Sequence, residues 1–250
     1  MSVQIFKKHQ QASGEFNGGE IVENKPIGFP QDGGELKPYS NLFYWANASA
    51  NQESTIGLHP HRGFEIMSFV LQGKLEHYDT GSEKWSPLQA GDVQIIRAGR
   101  GISHAEKLHE GAQMFQIWLD PGLQKTLQQD ASYNDYRKDE FSWKKKDHYM
   151  EKTFRKNDQG IEMDSEGVVI RQMKFIESSF SLKINREYFF SFYLINGKIS
   201  LNGKDMDADD FALVRSEKAV KIDAHRESEL FMIGNPERLG YETYYQLSGY

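Results

Sequence analysis

Residues 68–77, SFVLQGKLEH, resemble residues 191–201, SFYLINGKISL, and this internal repeat decides the fold. In both copies a hairpin follows, and an acidic turn then leads into an apolar strand, AGDVQIIRA at 90–98 and DDFALVRS at 209–216. Similarity of this kind within one chain is typical of a duplicated structural unit. The sequence therefore predicts two copies of one β unit, in preference to a single sheet of 250 residues.

Short strand-like segments continue outward from the first copy. They are rich in β-branched and aromatic residues and are separated by glycines: FEIMSFVLQGKLEHYDTG at 64–81, GDVQIIRAG at 91–99, AQMFQIWLD at 112–120 and GVVIRQMKF at 167–175. Aromatic residues make up 13% of the chain, which also favours strands. This pattern predicts an all-β protein built from sandwiches or barrels, with few short helices.

A polar region from Leu123 to Asp158 is typical of a connector between two halves. One short helix is expected in it, around Gln124–Gln129, and strand signals resume at residue 167. We therefore expect an N-terminal domain at residues 1–125, and a connector followed by a C-terminal domain at residues 126–250.

Composition excludes several classes of function. The 30 basic and 36 acidic residues give a net charge of −6, which provides no general attraction for nucleic acid. The absence of cysteine excludes disulfides, thiolate metal sites and cysteine nucleophiles. Residues 1–16, MSVQIFKKHQQASGEF, contain no apolar stretch before their lysines, and no later run approaches the ~20 apolar residues that a membrane span requires. We expect a soluble, cytoplasmic protein with no membrane or direct nucleic-acid partner.

Candidate chemistry is concentrated in two stretches, GLHPHRGFE at 57–65 and GISHAE at 101–106. The pair His59 and His61 and the pair His104 and Glu106 are each spaced by two residues, so in a strand each pair leaves from one face. Three imidazoles and one carboxylate suit Fe²⁺, Mn²⁺, Co²⁺, Ni²⁺, Cu²⁺ or Zn²⁺, and the spacing does not choose among them. Four such ligands leave up to two positions open on an octahedral ion.

The second copy of the repeat lacks this chemistry. Alignment on Gly73 and Gly197 places Lys183 and Asn185 opposite the first two histidines. Alignment on the acidic turns places Ile222 and Ala224 opposite His104 and Glu106. We therefore expect a metal site in the N-terminal domain alone.

The remaining candidates have simpler explanations. We expect the isolated histidines to be surface or core residues: His9, His77, His109 and His148. Most of a set of large apolar residues should be core, with two or three facing the metal: Phe64, Met67, Phe69, Met114, Phe115 and Trp118. We expect positive φ at the two glycines that flank Arg100.

The segment HPHRGFE, followed by GDVQIIRAGRGISHAE, resembles the signature of the pirin family, within the cupin superfamily. The resemblance is specific over residues 55–120, and the two-domain layout extends it over the whole chain. It implies a bicupin, with two antiparallel β-barrel-like domains face to face and a metal in the N-terminal one. The implied ligands are His59, His61, His104 and Glu106, with Fe²⁺ as the first choice of ion.

A second carboxylate, Glu65, competes for the ligand role. In many cupins the glutamate ligand follows the first histidine pair directly, at the position of Glu65, whereas pirins take it from the second motif. We favour Glu106 as the ligand and assign Glu65 a hydrogen-bonding role. Either carboxylate could accept a proton from the substrate.

The resemblance implies a metal-dependent dioxygenase that cleaves a flavonol such as quercetin with O₂. The alternative is a metal-dependent or redox-sensing regulatory protein that binds a transcription factor or an enzyme. A third alternative is a bicupin with neither activity. We expect a monomer, because fused duplicate domains reduce the need for a partner subunit.

Overall fold

Strands dominate the computed structural model, which describes residues 2–249. Strands account for 56% of the chain and helices for 7%, so the all-β prediction is confirmed. In chain order the strands are β1 Val3–Phe6, β2 Ala12–Phe16, β3 Ile21–Ile27, β4 Leu42–Ala50, β5 Ser54–His61, β6 Glu65–Gln72, β7 Lys74–Asp79, β8 Trp85–Gln89, β9 Val93–Arg97, β10 Ile102–Leu108, β11 Gln113–Leu119, β12 Ser132–Tyr136, β13 Trp143–Lys145, β14 Met150–Lys156, β15 Gln159–Gly160, β16 Val169–Phe175, β17 Ser178–Lys183, β18 Tyr188–Asn196, β19 Lys198–Leu201, β20 Lys204–Asp207, β21 Phe211–Val214, β22 Ala219–Ala224 and β23 Ser228–Pro236.

The helices of the described chain are short. The α-helices are α1 Leu123–Thr126 and α2 Tyr244–Leu247, and single 3₁₀ turns occur at Lys8–Gln10, Pro30–Asp32 and Lys138–Glu140. The first α-helix overlaps the region where the sequence predicts one. Within residues 2–249, no helix has the length and apolar character that crossing a membrane requires.

The chain divides into two compact units, each made from separate segments. The N-terminal unit contains Gln11–Glu140, Glu162–Glu166 and the residues from Gly240 onward, and the C-terminal unit contains the rest. The predicted boundary lies at residue 125, whereas each observed unit also includes segments from the other side of that residue. The difference arises because an edge strand belongs to the unit whose sheet it pairs with. Strand β12 pairs with β9 of the N-terminal unit, whereas β1 pairs with β21 of the C-terminal unit.

The two units share one strand order, which confirms the duplication. The N-terminal unit has a long sheet, β12-β9-β6-β11-β4-β3-β2, and a short sheet, β5-β10-β7-β8. The C-terminal unit has a long sheet, β1-β21-β18-β23-β16-β14-β13, with β15 beside β14, and a short sheet, β17-β22-β19-β20. Each strand of the first unit thus has a counterpart in the second.

The interior of the C-terminal unit is apolar and draws side chains from both of its sheets. The fully buried members include Phe192, Leu194, Ile199, Leu201, Val220, Ile222 and Leu230. The N-terminal unit has a comparable but smaller apolar layer, formed by residues such as Ile21, Ile56, Val70, Leu75, Leu108 and Met114. Beyond this layer the N-terminal interior becomes polar, and the candidate site lies there.

Candidate metal centre

Strands β5 and β10 form the floor of the candidate site. They pair antiparallel, with His59 opposite His104 and His61 opposite Ile102. On its other side β10 pairs with β7, where His104 faces Asp79. Residues that face each other across neighbouring strands share one face of a sheet, so the two motifs of the sequence meet on one surface.

A β-bulge in β5 sets the direction of its histidines. The register shifts between His104, which faces His59, and Glu106, which faces Ile56. Three steps along β5 therefore match two along β10, so β5 carries one extra residue. Before the bulge the buried residues of β5 are Ser54 and Ile56, and after it the buried residue is His61. Leu58, within the bulge, is exposed. A bulge of this kind redirects the side chains that follow it. Here it places His59 and His61 on the same inward face of the sheet as buried Ile56.

Three imidazole nitrogens converge in the structure. His104 Nε2 lies 2.8 Å from His61 Nε2 and 2.9 Å from His59 Nε2. All three nitrogens lie within 4.8 Å of one another. Three of the four predicted ligands thus meet at a single point.

Burial keeps two of these imidazoles neutral. The pKa of His61 falls from 6.5 to about 3, mainly because burial penalises its charged form, and His104 and His59 lower it further. Burial likewise lowers the pKa of His104 to about 2, with the neighbouring histidines His59 and His77 contributing. Neutral imidazole is the form that binds metal ions, so the site is prepared for a cation without a proton having to leave.

The third imidazole is oriented by the backbone. His59 Nδ1 lies 2.8 Å from the carbonyl oxygen of Gly57, and a carbonyl can only accept, so Nδ1 carries the proton. The lone pair of His59 Nε2 is therefore directed at the shared point, as in metal-binding histidines whose other nitrogen donates to a backbone carbonyl. The chemistry of the three donors fits a borderline divalent transition-metal ion.

The fourth predicted ligand, Glu106, is buried beside this group and does not belong to the set of atoms within 4.8 Å. Its Oε1 accepts a hydrogen bond from Ser68 Oγ at 3.0 Å, and its Oε2 accepts one from Gln116 Nε2 at 2.6 Å. The amide oxygen of Gln116 in turn accepts from Trp118 Nε1 at 3.1 Å. The carboxylate is held in place by neutral donors, and ligation by Glu106 stays a prediction.

The other predicted carboxylate, Glu65, is engaged elsewhere in the N-terminal unit. It accepts hydrogen bonds from the backbone N–H groups of Asp164 at 2.5 Å and Ser165 at 3.0 Å. Burial raises the pKa of Glu65, and these hydrogen bonds oppose the rise. The structure gives Glu65 the task of anchoring the segment Glu162–Glu166, and does not bring it to the histidine nitrogens.

One functional candidate, His77, was expected to be an ordinary surface or core residue. It is buried, and its Nε2 lies 3.2 Å from Nδ1 of His104. Its Nδ1 faces Asp79 Oδ2 at 3.8 Å. The sequence signal that could have revealed it is the spacing of His77 and Asp79, two residues apart in a strand that directly follows the repeat glycine.

Aromatic side chains form one wall beside the histidines. Trp118 meets His61 edge-on, with ring centroids 4.8 Å apart, and Phe64 packs against Trp118 at 5.8 Å. Phe43 stacks on Phe64 at 4.6 Å and extends the wall. Of the six large apolar residues singled out in the sequence, Trp118 and Phe64 thus lie beside the site, and Met114 lies in the apolar layer.

The Gly-Arg-Gly segment before the last motif is a turn, as predicted. Gly99 has a φ of 50° and Gly101 a φ of 147°. A Cβ at Gly99 would approach the Gln129 carbonyl oxygen to 2.6 Å, so both conformation and space require glycine there. Arg100 is exposed and pairs with Asp130, which makes it a surface residue.

The equivalent positions of the C-terminal unit are apolar, but they are not the ones that alignment of the acidic turns predicts. Leu108 pairs with Leu75, and Ala224 pairs with Ile199, so Leu108 and Ala224 are equivalent. Counting back along each strand, Val220 takes the place of His104, and Ile222 takes that of Glu106. The predicted assignment of Ile222 and Ala224 is wrong by two residues. The reason is that the stretch from the acidic turn at Asp209 to Ala224 is two residues shorter than the equivalent stretch from Gly91 to Leu108.

The first motif requires a smaller correction. Ser54 pairs with Leu108, and Ser178 pairs with Ala224, so the two strands start in the same register. The bulge then adds one residue to β5, and buried Leu182 rather than Lys183 takes the place of His59. An alignment of letters cannot show this shift, because it arises from strand pairing.

The chain is similar in sequence to proteins of known family. Residues 27–119 match the pirin family. A Pseudomonas aeruginosa protein, named as a candidate quercetin 2,3-dioxygenase, is 29% identical over 212 residues, which cover 80% of this chain and 85% of that protein. The quercetin 2,3-dioxygenase of Escherichia coli K12 is 27% identical over 183 residues, covering 72% of this chain and 76% of the enzyme.

Among solved structures, the crystal structure of a bacterial pirin from Escherichia coli in complex with nickel(II) resembles the chain. Its TM-score is 0.78 at 20% identity, and the alignment covers 94% of this chain and 100% of that one. At this level of identity the likeness establishes the fold. The predicted resemblance to pirins and the bicupin fold are both confirmed.

Proposed function

We propose that this chain, whose residues 27–119 match the pirin family, is a metal-dependent dioxygenase that cleaves flavonols such as quercetin with O₂. The observation that carries the proposal is the convergence of three histidine nitrogens in the interior of the N-terminal unit. A relative that is named quercetin 2,3-dioxygenase supports the choice of reaction.

In this proposal His59, His61 and His104 hold one divalent ion, with Fe²⁺ as the first choice, and Glu106 completes the ligand set. Such an ion supplies Lewis-acid chemistry that lowers the pKa of a coordinated hydroxyl group, and an open position for a second ligand. Burial keeps His61 and His104 neutral, and the Gly57 carbonyl orients the ring of His59 toward the same point, before any ion arrives. That preorganisation is the contribution of the protein.

Glu106 is also the group that we expect to accept the proton of the flavonol hydroxyl. Its two oxygens are fixed by Ser68 and Gln116, so the carboxylate is oriented in advance. A carboxylate oxygen has two lone pairs, which leaves each oxygen able to accept a further hydrogen bond. The aromatic wall of Trp118, Phe64 and Phe43 would hold the flat rings of the substrate beside it.

The experiment combines metal analysis with turnover. The purified protein is analysed for bound metal, quercetin is added in air, and the loss of its near-visible absorbance is followed. We expect His61→Ala to abolish both metal binding and turnover. We expect Glu106→Gln to reduce turnover strongly, because the amide cannot take up the proton.

His148→Ala is the matched control, because His148 is an exposed histidine of the C-terminal unit. It should leave both measurements unchanged. A protein that binds its metal but turns over no flavonol would contradict the enzyme proposal. Turnover that survives His61→Ala would contradict the proposed site.

A further inference from the structure

His77 and Asp79 lie in β7, directly behind the predicted ligand His104. Both side chains are 1% exposed. His77 Nε2 lies 3.2 Å from His104 Nδ1, the nitrogen that faces away from the shared point. The opposite nitrogen of the same ring, His77 Nδ1, is buried without a hydrogen-bond partner among the described residues, and Asp79 Oδ2 is 3.8 Å from it.

We propose that His77, backed by Asp79, is a positioning residue that fixes the tautomer and the ring orientation of His104 for metal binding. The inference rests on the proposed function in one respect, namely that His104 Nε2 holds the ion. It adds two groups behind His104, namely His77 and Asp79, that are not part of the ligand motifs.

The direction of the hydrogen bond follows from the chemistry of the neutral ring. If the lone pair of His104 Nε2 is directed at the ion, the proton of that ring is on Nδ1. His104 Nδ1 therefore donates to His77 Nε2, and the proton of His77 is on its own Nδ1. Metal-binding histidines characteristically donate their second N–H to a fixed acceptor, which orients the ring and raises the basicity of the ligand.

Asp79 is held so that it can face that second proton. Its Oδ1 accepts from the backbone N–H groups of Gly81 at 2.8 Å and Ser82 at 2.7 Å, and its Oδ2 accepts from Ser82 Oγ at 2.8 Å. A turn thus anchors the carboxylate beside the His77 ring. A shift of about 0.8 Å would bring His77 Nδ1 into hydrogen-bond distance of Oδ2.

The C-terminal unit shows what the same position holds when no site is present. Counting from the repeat glycines, Leu201 takes the place of His77, and Gly203 takes that of Asp79. Leu201 is fully buried in the apolar core. A leucine thus suits this interior position, and an imidazole there has a task other than filling space.

The direct test is nuclear magnetic resonance of the zinc-loaded protein, since Zn²⁺ is diamagnetic and suits the same donors. We expect a slowly exchanging imidazole proton on His104 Nδ1 and a scalar coupling from that nitrogen across the hydrogen bond to His77 Nε2. A His104 Nδ1 without a proton, or with a proton that shows no coupling to His77, would overturn the proposal.

The second test measures Zn²⁺ affinity by competition with a chromophoric chelator. His77→Leu copies Leu201 and removes the acceptor without removing volume, and we expect it to weaken binding about 10-fold to 100-fold. His77→Gln supplies an acceptor at a similar distance and should recover most of the loss. The melting temperature of the metal-free His77→Leu protein should not fall, which separates positioning from folding.

His109→Gln is the matched control, because it removes a histidine of the same unit that contacts Glu53 and Glu76 on the surface. It should leave Zn²⁺ affinity unchanged. Unchanged affinity in His77→Leu would overturn the role of His77 and leave the proposed metal site intact. Failure of the wild-type protein to bind Zn²⁺ would instead overturn the metal site, and with it the inference.

Discussion

Five neighbouring interior positions distinguish the two units, although the strands that carry them are equivalent. In the N-terminal unit these buried residues are Ser68, His77, His104, Glu106 and Gln116. In the C-terminal unit the register places Phe192, Leu201, Val220, Ile222 and Met232 at the same points, and all five belong to the apolar core. One strand order therefore supports either a polar interior or an apolar one.

The comparison shows what the polar interior requires. Each apolar side chain buried in the C-terminal unit contributes roughly 1.5–3 kcal/mol to stability. A buried polar group instead costs free energy unless it is hydrogen-bonded. The N-terminal unit offsets this cost by connecting its polar groups, since Ser68 and Gln116 both donate to Glu106, and His77 contacts His104. A unit that accepts such groups where apolar ones would fit is specialised for binding or chemistry.

The largest effect is expected from the β-bulge, which the C-terminal strand β17 lacks. Deleting Leu58 alone removes the extra residue and leaves His59 two residues after Ile56, which is the regular inward spacing of strand β17. Deleting Gly57 and Leu58 together places His59 directly after Ile56 and should turn both histidines of β5 toward the opposite face, because a one-residue slip reverses every side chain of a strand. We expect no metal uptake by this variant, measured by elemental analysis of the purified protein.

Leu58→Ala is the control for that deletion. The Leu58 side chain is 58% exposed, so its truncation should change stability by no more than about 0.5 kcal/mol and should leave metal uptake intact. A folded double-deletion variant that still binds the metal would show that the spacing between Ile56 and His59 does not set the direction of the histidines.

The next largest effect is expected from His104→Val, which gives the N-terminal unit the residue that the C-terminal unit has at Val220. Four-ligand zinc sites are worth about 10–16 kcal/mol, so losing one nitrogen should weaken Zn²⁺ binding on the order of several hundred-fold. Titration against a chelator measures the change. The metal-free variant should be at least as stable as the wild type, because an apolar side chain replaces a buried imidazole.

A conservative change in the other unit completes the comparison. Ile222→Val alters the core next to Val220 and should cost about 0.5–1.5 kcal/mol of stability without altering metal affinity. If it weakened Zn²⁺ binding as much as His104→Val does, the two interiors could not be regarded as independent.

The sequence was sufficient for the repeat, the all-β class and the location of the histidines, because each of these depends on local pattern. His59 and His61 are two residues apart, and that spacing survives folding as a shared face. The positive φ of Gly99 and Gly101 is also a local property. Local pattern thus predicts the three histidines that converge, but not a residue such as His77, which joins them through strand pairing.

Features that depend on pairing between strands could not be read from the sequence. The bulge at Leu58 exists only relative to β10, and it changes which residue of the second copy corresponds to His59. The contact of His77 with His104 requires β7 to lie beside β10. Glu65 binds backbone groups near residue 164, about a hundred residues away, and no spacing rule anticipates such a partner.

Acid sensitivity should also distinguish the interiors. In the folded, metal-free protein the pKa of His61 is about 3 and that of His104 about 2, whereas the ordinary value is 6.5. Below pH 6.5 the unfolded chain therefore binds protons that the folded chain does not, and stability falls as the pH falls. Each histidine should contribute about 1.4 kcal/mol per pH unit, and neither should contribute above pH 6.5.

Urea unfolding between pH 6.5 and 5, with a chelator present, measures this slope. The His104→Val variant should show a slope that is shallower by about one histidine. An identical slope in His104→Val and the wild type would mean that the buried imidazole is not kept neutral by the fold.

The smallest effect is expected at Trp118, whose place in the C-terminal unit is taken by Gly234, since Trp118 pairs with Ile66 and Gly234 pairs with the equivalent Phe190. Trp118→Phe keeps an aromatic ring against His61 but removes the indole N–H that binds Gln116. One neutral hydrogen bond contributes about 1 kcal/mol, so we expect flavonol turnover to fall about five-fold with metal affinity unchanged.

The exposed Trp85 provides the matched control, and Trp85→Phe should leave turnover as it is. Because Gln116 also holds Glu106, the fall should appear in kcat more than in KM if the orientation of the carboxylate is what suffers. A fall confined to KM would assign Trp118 to the binding of the flavonol rings. In that case the ring of Trp118, and not its hydrogen bond to Gln116, would be the feature that matters for function. It would also be the feature that the C-terminal unit lacks, because Gly234 stands at the equivalent position.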